Sequence, residues 1–175
     1  MVDLLSDSER LRRNRTAGLS VAAAVFVVDQ AVKWVVTYPL QLPHRATVEV
    51  LPFFTLRWLK NTGVSMSLLN AESEIGRWLL VALTGAIAAF VAFWMWREKR
   101  RDDSVALALV LGGALGNILD RVRLGYVVDY ADLHFGDVHP FLVFNVGDAA
   151  ITIGVLLLLV RALLTRERKS PKEDK

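Results

Sequence analysis

Residues 75–96 read IGRWLLVALTGAIAAFVAFWMW, 22 residues in which Arg77 is the only charge. A helix needs roughly 20 predominantly apolar residues to cross a hydrocarbon core about 30 Å thick, so this stretch is long enough to span a bilayer. Three further apolar blocks accompany it, at residues 17–36, about 104–121 and 145–164. Hydrophobic residues make up 54% of the chain, and mean hydropathy is +0.38. A soluble domain of 175 residues can bury one such helix in its core, but four leave too little polar surface to keep it in solution. The expected fold class is an α-helical membrane protein in which residues 1–175 form a single membrane-embedded domain with four transmembrane helices. Arg10, Arg12, Arg13 and Arg15 before the first apolar run resemble a signal peptide. That run is too long, carries Asp29 and Lys33, and lacks a small-residue cleavage site.

Orientation follows from Lys and Arg, because basic loops stay on the cytoplasmic side. Residues 1–16 hold four basic residues, 97–103 hold four and 161–175 hold six, whereas the loops 37–75 and 120–144 hold three and two. The N-terminus (1–16) and the tail (165–175) are therefore expected in the cytoplasm, and the two long loops outside. A net charge of +3 and a pI near 9.4 are explained by this topology and by anionic membrane lipid, with no nucleic acid partner expected. With no cysteine in the chain, disulfide and thiolate chemistry are excluded. In the first outward loop, Thr47–Trp58 is β-branched and aromatic with partial alternation and is followed by the turn residues 60–63, so a short strand or hairpin resting on the membrane surface is expected. Its aromatics Phe53, Phe54 and Trp58 suit the interfacial belt.

Polar residues within apolar spans need an account, because lipid offers them no hydrogen-bond partner. Asp29 and Lys33, four apart, share a helix face as an ion pair or orient a neighbouring catalytic group. Gly112, Gly113, Ala114 and Gly116 place small residues at helical spacing for close helix packing. Asn117, Asp120 and Arg121 follow, with Asp120 and Arg121 expected as an ion pair at the outer end of the third span. Asp132, His134, Asp137 and His139 cluster in the second outward loop, but their spacing matches no common zinc pattern. Neither a metal site nor a cofactor is expected.

Asp129 and Asp148 lie 19 residues apart, the first after the third span and the second opening the fourth. The topology puts both at one depth on the outward side. Two carboxylates within about 3–5 Å share a proton near neutral pH, because one pKa is driven up. One can then take a proton from a water attacking a peptide carbonyl while the other, protonated, stabilises the oxyanion and protonates the leaving amine. Asn61, Asn117 and Asn145 can donate hydrogen bonds there without adding charge. The competing class is a small non-enzymatic transporter or assembly factor in which such carboxylates bind protons or hold helices together. Serine-protease and zinc-protease readings lack Gly-x-Ser-x-Gly and His-Glu-x-x-His.

Five ordered motifs carry a resemblance: Asp29-x-x-x-Lys33, Asn61-x-Gly63, the run from Gly112 to Arg121, Val127-Val128-Asp129, and Phe144-Asn145-x-x-Asp148. Together they resemble the bacterial lipoprotein signal peptidases, or signal peptidase II, over nearly the whole chain. The resemblance implies an aspartic endopeptidase of the bacterial inner membrane, with four spans, both ends cytoplasmic, and a small β-cradle and short helix in the first outward loop. It implies cleavage of the signal peptide from prolipoproteins just before a diacylglyceryl-modified cysteine, near the outer face, by a chain acting as a monomer. Asp129 and Asp148 take the positions of the catalytic dyad, with Asp29, Lys33, Asn61, Gly63, Asn117, Asp120, Arg121 and Asn145 as supporting or substrate-binding residues. Phe53, Phe54 and Trp58 are lid candidates over that site. The chain departs from the family at Gly147, where Ala is usual and where Gly adds backbone freedom, and at Ser65-Met66, where Ala-Phe is usual.

Overall fold

A computed structural model of the protein describes residues 7–45, 47–63 and 74–167. Ser65 and Met66 lie outside the described residues. Among the described residues, five helices and three strands follow in the order α1 (Asp7–Thr37), α2 (Leu42–Arg45), β1 (Thr47–Leu51), β2 (Phe54–Asn61), α3 (Glu74–Arg97), α4 (Arg101–Leu124), β3 (Val127–Leu133) and α5 (Val146–Glu167). The segments of these helices that are long and apolar enough to cross a membrane are Ser8–Thr37, Glu74–Arg97, Arg101–Leu124 and Val146–Leu164. α1, α3 and α4 overrun their expected spans at both ends and α5 at its C-terminal end, because the polar residues flanking an apolar run still form helix. α1 stops one residue before Tyr38-Pro39, where the proline ring disfavours a helical backbone in the residue preceding it.

α4 is the centre of the bundle. Half of its apolar window is buried, against 17–22% for the other three spans, and it packs on α1, α3 and α5. Small residues make those approaches possible. A Cβ on Gly112 would meet the carbonyl of Ala22 on α1, one on Gly113 the carbonyl of Gly147 on α5, and one on Gly116 the carboxylate of Asp29. Leu107, Ala108, Val110 and Leu111 pack with Ala22, Ala88, Val91 and Met95 into the helical core. The outward faces of α3 and α5 leave residues such as Leu83, Phe90, Ile153 and Leu156 more than half exposed, as helices facing acyl chains do.

The strands form one antiparallel sheet in the order β1-β2-β3. β1 and β2 make the expected hairpin, joined at Pro52-Phe53, with Leu51 opposite Phe54. β2 continues through Lys60 and Asn61, two of the residues expected to turn. β3 is an addition to the expected hairpin. It pairs Leu133 with Phe54, Asp129 with Leu59 and Val127 with Asn61. α4 hands the chain to it through Gly125, whose φ of 83° ends the helix and whose N–H returns to the Arg121 carbonyl at 3.2 Å. Val128 and Tyr130 pack with Val36, Leu42, Phe54 and Trp58 into a second apolar cluster beneath the sheet.

The glycine contacts give a paired test. Gly116→Ala drives a methyl group into Asp29 and should lower stability by about 1–3 kcal/mol. Gly85→Ala on α3 has nothing within 4 Å and should gain about 0.5–1 kcal/mol from helix propensity. Thermal unfolding of both variants in one detergent checks the contrast.

Candidate active site

The site begins with the cap of α5. Asn145 precedes the helix, and its Oδ1 accepts from the Asp148 N–H at 2.9 Å, while Asp148 Oδ2 accepts from the Asn145 N–H at 3.2 Å. This reciprocal capping box satisfies two backbone donors at the helix start and fixes the Asp148 carboxylate in the same step. The Asn145 amide is then free to point elsewhere. Its Nδ2 donates to Asp129 Oδ1 at 2.6 Å and to Asn117 Oδ1 at 3.2 Å. Asn145 therefore touches both aspartates, one through its side chain and the other through its backbone.

Each carboxylate has a further amide donor. Asn117 on α4 donates to Asp148 Oδ1 at 2.8 Å, and Asn61 at the end of β2 donates to Asp129 Oδ2 at 2.8 Å. Asn61 is held in turn by the Gly63 N–H, which donates to its Oδ1 at 2.9 Å. Gly63 has a φ of 95° and faces the Arg121 guanidinium and Leu80, so a side chain there would be both strained and crowded. Arg121 Nε is buried with no hydrogen-bond partner among the described residues. Asp129 is 1% exposed and Asp148 is half-buried. Burial pushes the Asp129 carboxyl up to about 6 and the Asp148 charge adds to the rise, while Asn61, Asn145 and Lys33 oppose it.

Behind the two aspartates sits Lys33, which pairs with Asp29 Oδ2 at 2.7 Å and Asp120 Oδ2 at 2.8 Å and donates to Asn117 Oδ1 at 2.9 Å. All three ammonium donors are used. The expected pairing of Asp120 with Arg121 is thus corrected: consecutive helical residues face different ways, and Asp120 turns to α1. Asp29 Oδ1 accepts the Gly147 N–H at 2.8 Å, and Asp120 Oδ2 accepts the Val128 N–H at 3.2 Å. The residues before Asp148 and Asp129 are therefore each tied to one of the two carboxylates paired with Lys33. Gly147 is also corrected. A Cβ there would stand 3.0 Å from Asn145 Oδ1 and from the Gly113 carbonyl, so the glycine serves close packing and not freedom.

The three lid candidates differ in their surroundings. Phe54 and Trp58 are half-buried in the cluster beneath the sheet, and Phe53 is exposed at the β1–β2 turn, at the opposite end of β2 from Asn61. Of the acidic and histidine residues of the second loop, His134 and His139 bring their rings within 5.5 Å of each other. His139 Nδ1 donates to Asp132 at 2.9 Å and His134 Nε2 lies 2.9 Å from Thr55 Oγ1. Sequence reasoning missed two residues. Gln30 donates to Asp120 Oδ1 at 3.0 Å, and the Tyr130 hydroxyl accepts from the Val146 N–H at 3.3 Å. The signal for Gln30 was present as a polar residue inside an apolar span.

The sequence profile described as signal peptidase (SPase) II matches residues 21–164. The chain belongs to the signal peptidase II family. A lipoprotein signal peptidase of Rhizorhabdus wittichii is 58% identical over 161 residues, covering 92% of this chain and 94% of its own. That of Sphingopyxis alaskensis is 56% identical, covering 90% and 91%. The lipoprotein signal peptidase of Acinetobacter baumannii is 37% identical, covering 90% and 88%. Two solved structures described as a bacterial membrane enzyme, determined in meso at 2.3 and 1.9 Å, superpose with TM-scores of 0.75 and 0.73 at 27% identity. They cover 90% and 83% of this chain and 94% and 92% of their own. Membership of signal peptidase II makes the chain a multi-pass bacterial membrane peptidase and overturns the transporter or assembly-factor alternative.

The Lys33 arrangement generates a stability test. Lys33→Met leaves Asp29 and Asp120 buried without their cation and should cost about 3–5 kcal/mol. Chemical unfolding of this signal peptidase II in detergent measures it, and an unchanged midpoint would place the two carboxylates in a different pairing.

Proposed function

We propose that Asp129 and Asp148 are the catalytic dyad of an aspartic endopeptidase. It removes the signal peptide from diacylglyceryl-modified prolipoproteins, cutting just before the modified cysteine. The observation that carries this reading is the position of Asn145, which donates from its amide to Asp129 and from its backbone to Asp148. Two carboxylates so joined, on β3 and α5, form no ion pair with a basic side chain among the described residues and are free to share a proton.

Asp129, with its pKa raised mainly by burial, holds the proton, and the more accessible Asp148 is the base. Asp148 takes a proton from water as the water oxygen bonds to the scissile carbonyl carbon, and Asp129 donates its hydrogen bond to the developing oxyanion. When the tetrahedral centre collapses, the carbon–nitrogen bond breaks and the amine leaves with a proton from the dyad. Asn117 and Asn61 hold the two carboxylates in place, and the unpartnered Arg121 Nε donates to a substrate backbone carbonyl. Lys33, Asp29 and Asp120 position the elements. No metal or cofactor takes part.

The arrangement of basic residues supports both termini in the cytoplasm and the dyad near the outer face of the inner membrane. A lipid-modified substrate reaches such a site by lateral movement in the bilayer, and the chain acts on it as a monomer.

Asp129→Asn and Asp148→Asn keep side-chain shape and remove ionisation. Each should lower cleavage of a lipid-modified prolipoprotein at least about a hundredfold, with chelator leaving the wild-type rate unchanged. Full cleavage by either variant would sink the dyad. The pH dependence has a definite sign. Ionisation of Asp129 removes the proton the reaction needs, so kcat/KM should fall as pH rises through about 6. Asn61 stabilises the ionised form, so Asn61→Ala should move that alkaline limb to higher pH. A limb that moves to lower pH, or stays in place, would mean that Asp129 is not the group observed.

A further inference from the structure

The segment that joins β3 to α5, residues 134–145, is tightly bonded and yet strongly apolar on its outside. Phe135 and Val138 exchange backbone hydrogen bonds at 2.9 and 3.2 Å around Gly136-Asp137. His139 is bonded to the buried Asp132, whose other oxygen lies 3.1 Å from Arg57 Nε. Phe144 and Ala131 exchange backbone bonds at 3.0 and 2.8 Å, and the His134 N–H reaches the Phe53 carbonyl at 3.1 Å. A segment pinned at so many points could turn its large apolar groups inward. Instead Phe135, Val138 and Phe141 are 62–67% exposed and Leu142 is 91% exposed, with Leu51 and Phe53 of the neighbouring hairpin tip also exposed. A patch of this kind marks a surface that something covers.

The neighbourhood names the occupant. Asp137, at the tip of the turn, is the only Asp, Glu, Lys or Arg between residues 133 and 145. Leu142 lies four residues before Val146, the first residue of a membrane-spanning helix, which limits its distance from that span to roughly 14 Å even for an extended chain. Phe144 also lines a cavity of about 420 Å³ with Val35, Val36, Leu56, Tyr130 and Val146. The apolar surface is therefore continuous from the spans, past the underside of the sheet, to the exposed loop. That continuity favours lipid over a protein partner.

We propose that the β3–α5 connection is inserted in the bilayer leaflet on the dyad side, with Phe141 and Leu142 among the acyl chains and Asp137 among the headgroups. The partner is the lipid surface itself. Insertion of this depth, about 5–10 Å, is what interfacial apolar segments achieve. Because the same connection is bonded to β3 at Ala131 and runs into the Asn145 cap, its depth in lipid fixes the height at which the sheet carries Asp129.

The absence of cysteine allows single spin labels on the full chain in phospholipid vesicles without substrate. Labels at Leu142→Cys and Phe141→Cys should favour collision with oxygen over a water-soluble nickel chelate, as a label at Ile153→Cys on α5 does. A label at Glu49→Cys supplies the aqueous reference. Chelate access at 142 equal to that at 49 overturns the proposal. Access that disappears only on adding substrate to an Asp148→Asn background also overturns it and makes the patch a substrate clamp. Access that falls only with rising protein density overturns it in favour of contact between copies. As a second measurement, Leu142→Asp should leave the melting temperature in detergent unchanged. It should raise chelate access at position 141 several-fold in vesicles, and no rise there would count against insertion.

Discussion

One ammonium group, that of Lys33, carries the polar interior of this protein. Inside a bilayer an unpaired charge is prohibitively costly, so the three donors of Lys33 and the two carboxylates beside it must all be satisfied at once. The solution spends none of these groups on packing alone. Asp29 accepts from the backbone next to Asp148 and Asp120 from the backbone next to Asp129. Asn117, its oxygen committed to Lys33, can only present its amide hydrogens to Asp148. The electrostatic demand of α1 thereby sets the positions of two elements far away in sequence.

The sheet has a different logic. β3 enters it directly from α4 through Gly125, and its pairing with β2 brings Asn61 opposite Val127 and within reach of Asp129. A surface hairpin in the first loop thus supplies one face of a site whose other face is the helical bundle. Glycine at 113 and 147 lets α4 and α5 approach until backbone meets backbone, which is what brings Asn117 to Asp148.

Much of this was legible in the chain. Four apolar runs near the bilayer's thickness declare themselves by length, and Asp129 and Asp148 stand out as carboxylates at their edges. The third strand was not legible. Val127–Leu133 is buried on both faces as far as Asp132, so it lacks the alternation that marks a half-exposed strand, and two aspartates interrupt its apolar run. Asp120 was misassigned because its sequence neighbour is Arg121, whereas its partner Lys33 lies on another helix and is brought close only by the fold. Gly147 was read as a source of freedom for the same reason. Its need for smallness comes in part from the Gly113 carbonyl on α4, a contact that no local pattern encodes.

The capping box at the start of α5 makes one carboxylate responsible for two things. Asp148 Oδ2 closes the first helical turn by accepting from Asn145, and the Asp148 N–H is held by the Asn145 side chain. Fraying of that turn and displacement of the carboxylate are consequently a single event. The protection of the Asp148 amide against hydrogen exchange is then a direct reading of how often this arrangement is assembled, and any lipid or temperature change that loosens the helix end is felt at the Asp148 carboxylate without passing through the rest of the bundle.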